Sequence, residues 1–330
     1  MRALVYRGAG ALALEDVAMP VPGPGEAVVR VDAVGICGSD LHAYQGHDPR
    51  RPPPLVLGHE AAGVVMAGTA PGERVTINPL VTCGACDACV AGRDNLCPER
   101  QILSMPPRPG AFAEAVAVPE RNLVAVPEGV PMAEAALVEP IACGWHAFSV
   151  AARGMARPVS AGRVVVLGGG AIGIGAALVA RHHGVADLWI AETNALRLPV
   201  LERLGLARIY SPGEGGPLPG SADLVIDAHG SKATQAAATA LARPGGHVLH
   251  IGLAGGQCGL DLRRVTLQEI TVIGTYTYTM ADFRETARAL FHGRFGDFAW
   301  VEERQLAEGP QALADLVGGK VAASKLVLRP

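Results

Sequence analysis

Charge is scarce in this chain: of 330 residues only 18% are charged, the net charge is −3 and the sequence pI is near 6.4. No lysine or arginine run occurs, so nucleic acid and an anionic membrane surface are not expected as partners. There is no stretch of eighteen or more uncharged apolar residues, and the longest candidate, VVVLGGGAIGIGAALVA, is broken by glycines. The chain opens MRALVYRG without a charged leader or an apolar signal core, which points to the cytoplasm and away from disulfides. Internal repeats and low-complexity segments are also lacking.

What is plentiful is apolar and small: 49% hydrophobic residues, 42 glycines and 25 prolines, the composition of a globular chain with many tight turns. At this length two domains are expected. The first part carries short strand patterns between Gly/Pro clusters (RALVY, EAVVRVDAVG, AAGVVMAG, ERVTINP, FAEAVAV), so β-structure should dominate there. PEGVPMAEAALVEPIACGWHAF has helical spacing. Beyond it, apolar strands alternate with helices through RVVVLGGG, LWIAET, ADLVIDAHG, GGHVLHIG and ITVIGTY, a pattern that implies an α/β fold with a parallel sheet covered on both faces. SPGEGGPLPGS reads as an exposed loop, ADFRETARALFHGRF as a helix, and SKLVL as a strand returning to the first domain. The boundaries expected are 1–144, 145–278 and a C-terminal return over 279–330.

Four cysteines, Cys83, Cys86, Cys89 and Cys97, follow C-x2-C-x2-C-x7-C. Thiolates at that spacing can converge on one ion with tetrahedral geometry, and four of them leave no open position for substrate, so the lobe reads as structural zinc. Flanking Gly84, Asp87, Gly92 and Asp94 do not suit buried unpaired thiols. An iron–sulfur cluster is the rival, although a ferredoxin run places its last cysteine after three residues and this chain after seven.

RVVVLGGGAIGIGAALVARHHG holds G-x-G-x-x-G at Gly168, Gly170 and Gly173, after a strand and opening a helix. The first glycine permits the turn, the second lets a pyrophosphate approach the backbone, and the third lets helix and strand pack. Glu192, nineteen residues beyond Gly173 at the end of the next strand, suits the adenosine ribose and would repel a 2′-phosphate, which favours NAD over NADP. Arg197 is placed to stack over adenine or to meet a 2′-phosphate.

Upstream, VGICGSDLHAY and LGHEAAGVV set Cys37, Ser39, Asp40, His42, His59 and Glu60 against apolar strands. With the dinucleotide motif, the cysteine lobe and Glu139 in LVEPIACG, the whole chain resembles the medium-chain zinc-dependent alcohol dehydrogenases, most closely the sorbitol and polyol branch. The resemblance implies a GroES-like, mainly-β catalytic domain and a Rossmann domain with the active site between them, a catalytic zinc besides the structural one, and a homodimer or homotetramer. It implies that Cys37 and His59 hold the catalytic zinc with Glu60 or Glu139 completing the protein set, a choice the sequence leaves open, and that Asp40 accepts from the free ring nitrogen of His59. Ser39 would take the alcohol proton and pass it through the cofactor ribose to His42. Lys325 matches a position that meets Glu60 or the cofactor phosphate.

The substrate implied is a small secondary alcohol, diol or polyol, or its ketone, with hydride passing to or from NAD. An amino-alcohol enzyme of the threonine 3-dehydrogenase kind and a non-catalytic zinc scaffold are the alternatives. Polyol dehydrogenases often carry an Arg-Tyr pair near the last Rossmann strand; here Thr277-Tyr278 stands, so Tyr278 remains to orient a hydroxyl without the arginine. The segment between GHEAAGVV and GERV is trimmed. Cys143 and Cys258 read as small core residues, with Cys143 one turn from Glu139.

Overall fold

A computed structural model describes residues 1–330, which divide into two compact units: Met1–Glu139 with Thr279–Pro330, and Pro140–Tyr278. The first division falls at Glu139/Pro140, earlier than 144/145. The segment with helical spacing forms two helices, Met132–Ala135 and Val138–Ala152. Pro140 lies in the first turn of the second, where a missing N–H costs nothing because the amides there have no intrahelical acceptor. Met132–Ala152 is long and apolar enough to span a membrane, but 72% of its most apolar window is buried inside the fold, as in a core helix.

The first unit is mainly β. Its large sheet runs in the order Leu123–Ala125, Arg74–Ile77, Glu60–Ala67, Glu26–Gly35, Lys325–Arg329, Val301–Gln305, with Ala115–Pro119 also pairing with Glu26–Gly35. A three-stranded sheet joins Ala11–Asp16, Arg2–Gly8 and Leu55–Val56. Leu4, Val29, Val31, Ile77, Phe112, Leu313 and Leu328 form one core between these elements. The C-terminal strand is inserted: antiparallel to Glu26–Gly35, with Val327 opposite Gly35, and parallel to Val301–Gln305. This register sets Lys325 just beyond Gly35, beside the turn that carries Cys37. Val301–Gln305 (VEERQ) lacks an apolar alternation because it is a half-exposed edge strand.

The second unit is a six-stranded parallel sheet. Its strands in chain order are Arg163–Leu167, Asp187–Ala191, Arg208–Tyr210, Ala222–Asp227, Ala242–His250 and Thr271–Gly274. Their spatial order is third, second, first, fourth, fifth, sixth, so the direction of winding reverses beside Arg163–Leu167. Helices Ala171–His182, Leu198–Leu204, Lys232–Leu241 and Leu262–Leu267 fill four of the five connections, and the one from the third to the fourth strand, residues 211–221, has no helix. Val165, Leu167, Val225 and Val248 are buried in its core. This is the doubly wound Rossmann order, and the expected α/β class with a mainly-β partner is what the chain forms.

Asp223, at the start of the fourth strand, holds this sheet's lower edge. It accepts from the Arg163 amide at 2.8 Å, from Arg243 Nε at 2.5 Å and from Arg157. Burial pushes its pKa up, but the hydrogen bonds from Arg157, Arg163 and Arg243 outweigh that and hold it below 3.8. A depressed carboxyl stabilises the fold above its unfolded pKa and loses that contribution as pH falls through its folded one. Asp223→Asn should therefore cost about 1–2 kcal/mol at pH 7 in urea denaturation, modest because both guanidinium groups are partly exposed. The difference from the unsubstituted chain should close as pH falls below 3.8.

Candidate metal centres and dinucleotide site

Helix Gly38–Tyr44 begins directly after strand Glu26–Gly35, with Cys37 at its N-cap. Asp40, fully buried, accepts from the Cys37 amide at 3.0 Å through Oδ2 and from the Gly58 amide at 3.2 Å through Oδ1. One carboxylate thus staples the turn bearing Cys37 to the segment bearing His59. Burial pushes Asp40 up, yet the charges of His59 and Arg51 and the Cys37 amide bring it below its ordinary value. Burial pulls His59 down, but Asp40 and then Cys37 reverse this and raise it well above 6.5.

The expected Asp40–His59 contact is present as a longer electrostatic one, 3.6 Å from Oδ1 to Nδ1. Ser104 Oγ lies nearer to His59 Nδ1, at 3.3 Å. Ser104 is itself held: its φ is 67° and its carbonyl accepts from Arg51 Nε at 3.0 Å. Buried Arg51 also donates to Ser39 O at 3.3 Å and to Asp48 Oδ2 at 2.7 Å. Sequence reading missed Ser104, Arg51 and Asp48. The run HDPRR looks like solvated surface charge, and only its burial reveals a clamp.

Cys37, His59 and Glu60 each place one ligand atom within 4.8 Å of the others. Glu60 is fully buried and both its oxygens accept from Lys325 Nζ, at 2.7 and 2.6 Å; a third bond runs from Nζ to Ile36 O at 2.9 Å. Of the two partners expected for Lys325, Glu60 is the one it meets here, with its three N–H donors engaged. Burial lowers the Lys325 pKa, and the charges of Glu60, Cys37 and Glu139 more than restore it. Gly35 makes room for this pair: a Cβ there would stand 2.0 Å from Glu60 Oε2. Glu139 is buried in the first turn of its helix and lies outside the compact trio. Ser39 and His42, half-buried, sit three residues apart on one helix face. Burial and then the neighbouring His47 pull His42 below 6.5.

The four lobe cysteines also converge within 4.8 Å. Cys83 Sγ lies 3.9 Å from Cys89 Sγ and 3.6 Å from Cys97 Sγ, close to the roughly 3.8 Å edge of a tetrahedron with metal–sulfur arms of about 2.3 Å. Such spacing encloses one ion and has no room for a multi-iron cluster. The Ala85 and Cys86 amides draw Cys83 down to about 6, while burial and the neighbouring sulfurs drive Cys89 up to about 12. Four thiolates this close require a cation to ionise together.

In the second unit Gly168 has φ 106°, and a Cβ at Gly173 would strike Gly168 O at 1.8 Å. A Cβ at Gly170 would meet nothing within 4 Å, so the backbone there is open to a ligand. Helix Ala171–His182 starts at Gly170 without a side-chain cap, leaving its first-turn amides to an anion. Glu192 accepts from the amides of Thr193, Asn194 and Gly169 at 2.7, 2.8 and 3.1 Å, and from Arg197 NH1 at 2.9 Å. Burial raises its pKa, but the Asn194 amide and Arg197 dominate and keep it ionised. Arg197 thus pairs with Glu192 through one edge of its guanidinium group. Tyr278 is buried, 1% exposed, at the end of this unit. Cys143 is half-buried, and Cys258, expected in a core, is exposed.

Lys325→Met should destabilise the metal-free protein by about 3 kcal/mol in urea, since it strands a buried carboxylate. Adding Glu60→Gln should recover most of that loss, and the double-mutant cycle reads the coupling directly.

Comparison with known proteins agrees with both units. Residues 23–128 match the family model described as alcohol dehydrogenase GroES-like domain, and residues 171–292 that described as zinc-binding dehydrogenase. The chain is 33% identical to the L-galactonate-5-dehydrogenase of Escherichia coli K12 over 312 residues, 89% of this chain and 88% of that protein. It is 32% identical to the sorbitol dehydrogenase of Bacillus subtilis 168, covering 84% and 82%. Among solved structures it resembles a zinc-binding dehydrogenase homologue from Sinorhizobium meliloti 1021 bound to NADP (TM-score 0.86, 29% identity, 100% and 99% covered). It also resembles the acetophenone reductase of Geotrichum candidum NBRC 4597 in complex with NAD (TM-score 0.88, 28% identity, 100% and 97% covered).

Proposed function

Because the chain belongs to the medium-chain zinc-dependent alcohol dehydrogenase family, we propose that it interconverts a secondary alcohol, diol or polyol and its ketone with NAD. The observation that carries this reading is the convergence of Cys37, His59 and Glu60 on one point, backed by Asp40, Ser104 and Lys325. Thiolate, imidazole and carboxylate are a donor set suited to zinc with a position left for substrate. Cys37, His59 and Glu60 hold the catalytic ion. Glu139, whose charge reaches the same lysine, is the second carboxylate available to it. Cys83, Cys86, Cys89 and Cys97 hold a structural zinc.

When bound, zinc supplies Lewis acidity that makes an alcohol acidic near neutral pH, and NAD supplies the hydride acceptor. The chain's own part is positional. Asp40 ties the turn bearing Cys37 to the segment bearing His59, and Arg51 holds the main chain at Ser39, whose hydroxyl takes the substrate proton. His42, drawn below its ordinary pKa, is neutral at pH 7 and able to pass that proton to solvent. Tyr278 orients a further substrate hydroxyl.

The preference for NAD over NADP is supported by ionised Glu192, because a carboxylate just after this strand suits a ribose diol and repels a 2′-phosphate, while Arg197 softens the discrimination by neutralising part of that charge. The assembly is a homodimer or homotetramer. Thr271–Gly274, with a neighbour on one side only, offers the edge for pairing across a two-fold axis. The setting is cytoplasmic.

The test is absorbance of reduced nicotinamide with NAD or NADP and a panel of secondary alcohols, diols, sugar alcohols and threonine. Chelator-sensitive reduction with a polyol or diol is expected, faster with NAD. Cys37→Ala should keep the fold by circular dichroism, lose about one zinc equivalent by elemental analysis, and lower kcat/KM roughly 1,000-fold, the equivalent of about 4 kcal/mol of charge stabilisation. Full activity in that variant would remove Cys37 from the metal site.

A further inference from the structure

The fourth and fifth strands of the parallel sheet end in Asp227 and His250, which are direct partners in the register. His250 Nδ1 lies 3.2 Å from Asp227 Oδ2. Asp227 is fully buried, and its other oxygen accepts from the amides of His229 and Gly230 at 3.2 and 2.8 Å. That second contact fixes a turn which borders the phosphate loop: His229 Cβ stands 3.5 Å from where a Cβ on Gly168 would be. The Asp–His pair is therefore continuous with the dinucleotide motif.

His250 is 30% exposed at its side chain, and its Nε2 has no hydrogen-bond partner in the chain. Against a carboxylate at Nδ1, a neutral imidazole carries its proton on Nδ1 and presents Nε2 as an acceptor. The next strand adds to the same edge: the Thr275 amide donates to His250 O at 3.0 Å, and the hydroxyls of Thr275 and Thr277 are buried without partners. Thr277 also holds φ at 45°, a conformation that costs a β-branched residue energy and is kept where the surroundings demand it.

In this strand order a dinucleotide lies across the carboxyl ends of the strands, one mononucleotide half on each side of the winding reversal. Glu192, directly after the second strand, marks the adenosine half. The fourth, fifth and sixth strands, ending in Asp227, His250 and Gly274, then underlie the nicotinamide half. We propose that His250, held through Nδ1 by Asp227, is a cofactor-binding residue that accepts a hydrogen bond through Nε2 from a ribose hydroxyl of the nicotinamide half. This rests on the dehydrogenase reading above. Asp227 is the positioning residue: it orients the ring and at the same time anchors the turn beside Gly168.

The experiment titrates the zinc-loaded protein with NADH, followed by nicotinamide fluorescence or calorimetry, and in parallel with 5′-AMP as a probe of the adenosine half alone. His250→Leu should weaken NADH about tenfold, the worth of one hydrogen bond, and leave 5′-AMP unchanged. His250→Gln, which keeps a side-chain acceptor, should recover part of the loss, and Asp227→Asn should fall between the two. Unchanged NADH affinity in His250→Leu would overturn the assignment. So would equal weakening of NADH and 5′-AMP, which would mark general damage to the unit. If the unsubstituted protein binds neither NADH nor NADPH, the dinucleotide reading falls, and this assignment with it.

Discussion

A buried ammonium and a buried carboxylate, Lys325 and Glu60, condition everything built around Cys37. Removing either charge from water costs several kcal/mol, and only the pair, with the Ile36 carbonyl as third acceptor, makes the burial tolerable. The consequence is architectural. Lys325 reaches Glu60 only if the C-terminal strand inserts beside Glu26–Gly35 in one register, and Gly35 must lack a side chain for the carboxylate to lie where it does. A one-residue slip would turn the lysine to the opposite face of the sheet. Strand pairing and the electrostatics of the candidate catalytic site are thus a single constraint.

Around that pair the other polar groups are arranged as staples rather than as free reagents. Asp40 spends both oxygens on backbone amides of two different loops, and Arg51 spends its guanidinium on two carbonyls and Asp48. His59 is left between Ser104 and Asp40 with little freedom to rotate. The second unit repeats the device with Glu192 and Asp227, each binding several amides at a strand end. In both units, acids that look like reagents in the sequence act first as organisers of main chain.

How much of this was legible depended on how local each signal is. The Gly168–Gly173 turn was readable because strand, turn and helix are contiguous and each glycine has its own steric reason. The cysteine lobe was readable for the same cause. The returning strand was visible in its apolar run, whereas Val301–Gln305 was hidden by charges that an edge strand tolerates. Arg51, Ser104 and Asp48 escaped because burial of a basic run arises from tertiary packing alone. Asp227 and His250 are far apart in sequence and meet only through the parallel register. Cys258 was misplaced because a small thiol among glycines suits a core and an open loop equally well. The roles of Cys37, His59 and Lys325 came from family resemblance, and geometry then paired Lys325 with the Glu60 carboxylate.

The long separation between Glu60 and Lys325, 265 residues, has a consequence for biosynthesis. The cysteine lobe spans fifteen residues, from Cys83 to Cys97, and can close on an ion as soon as it clears the ribosome. Glu60 emerges earlier still but has no counter-charge until nearly all of the second unit and the helices after it have been translated. The two candidate metal centres therefore come together at different stages of synthesis. In between, the nascent first unit must be kept open at the sheet position that Lys325–Arg329 will take, an unpaired strand edge that makes this interval the chain's period of greatest exposure to misassembly.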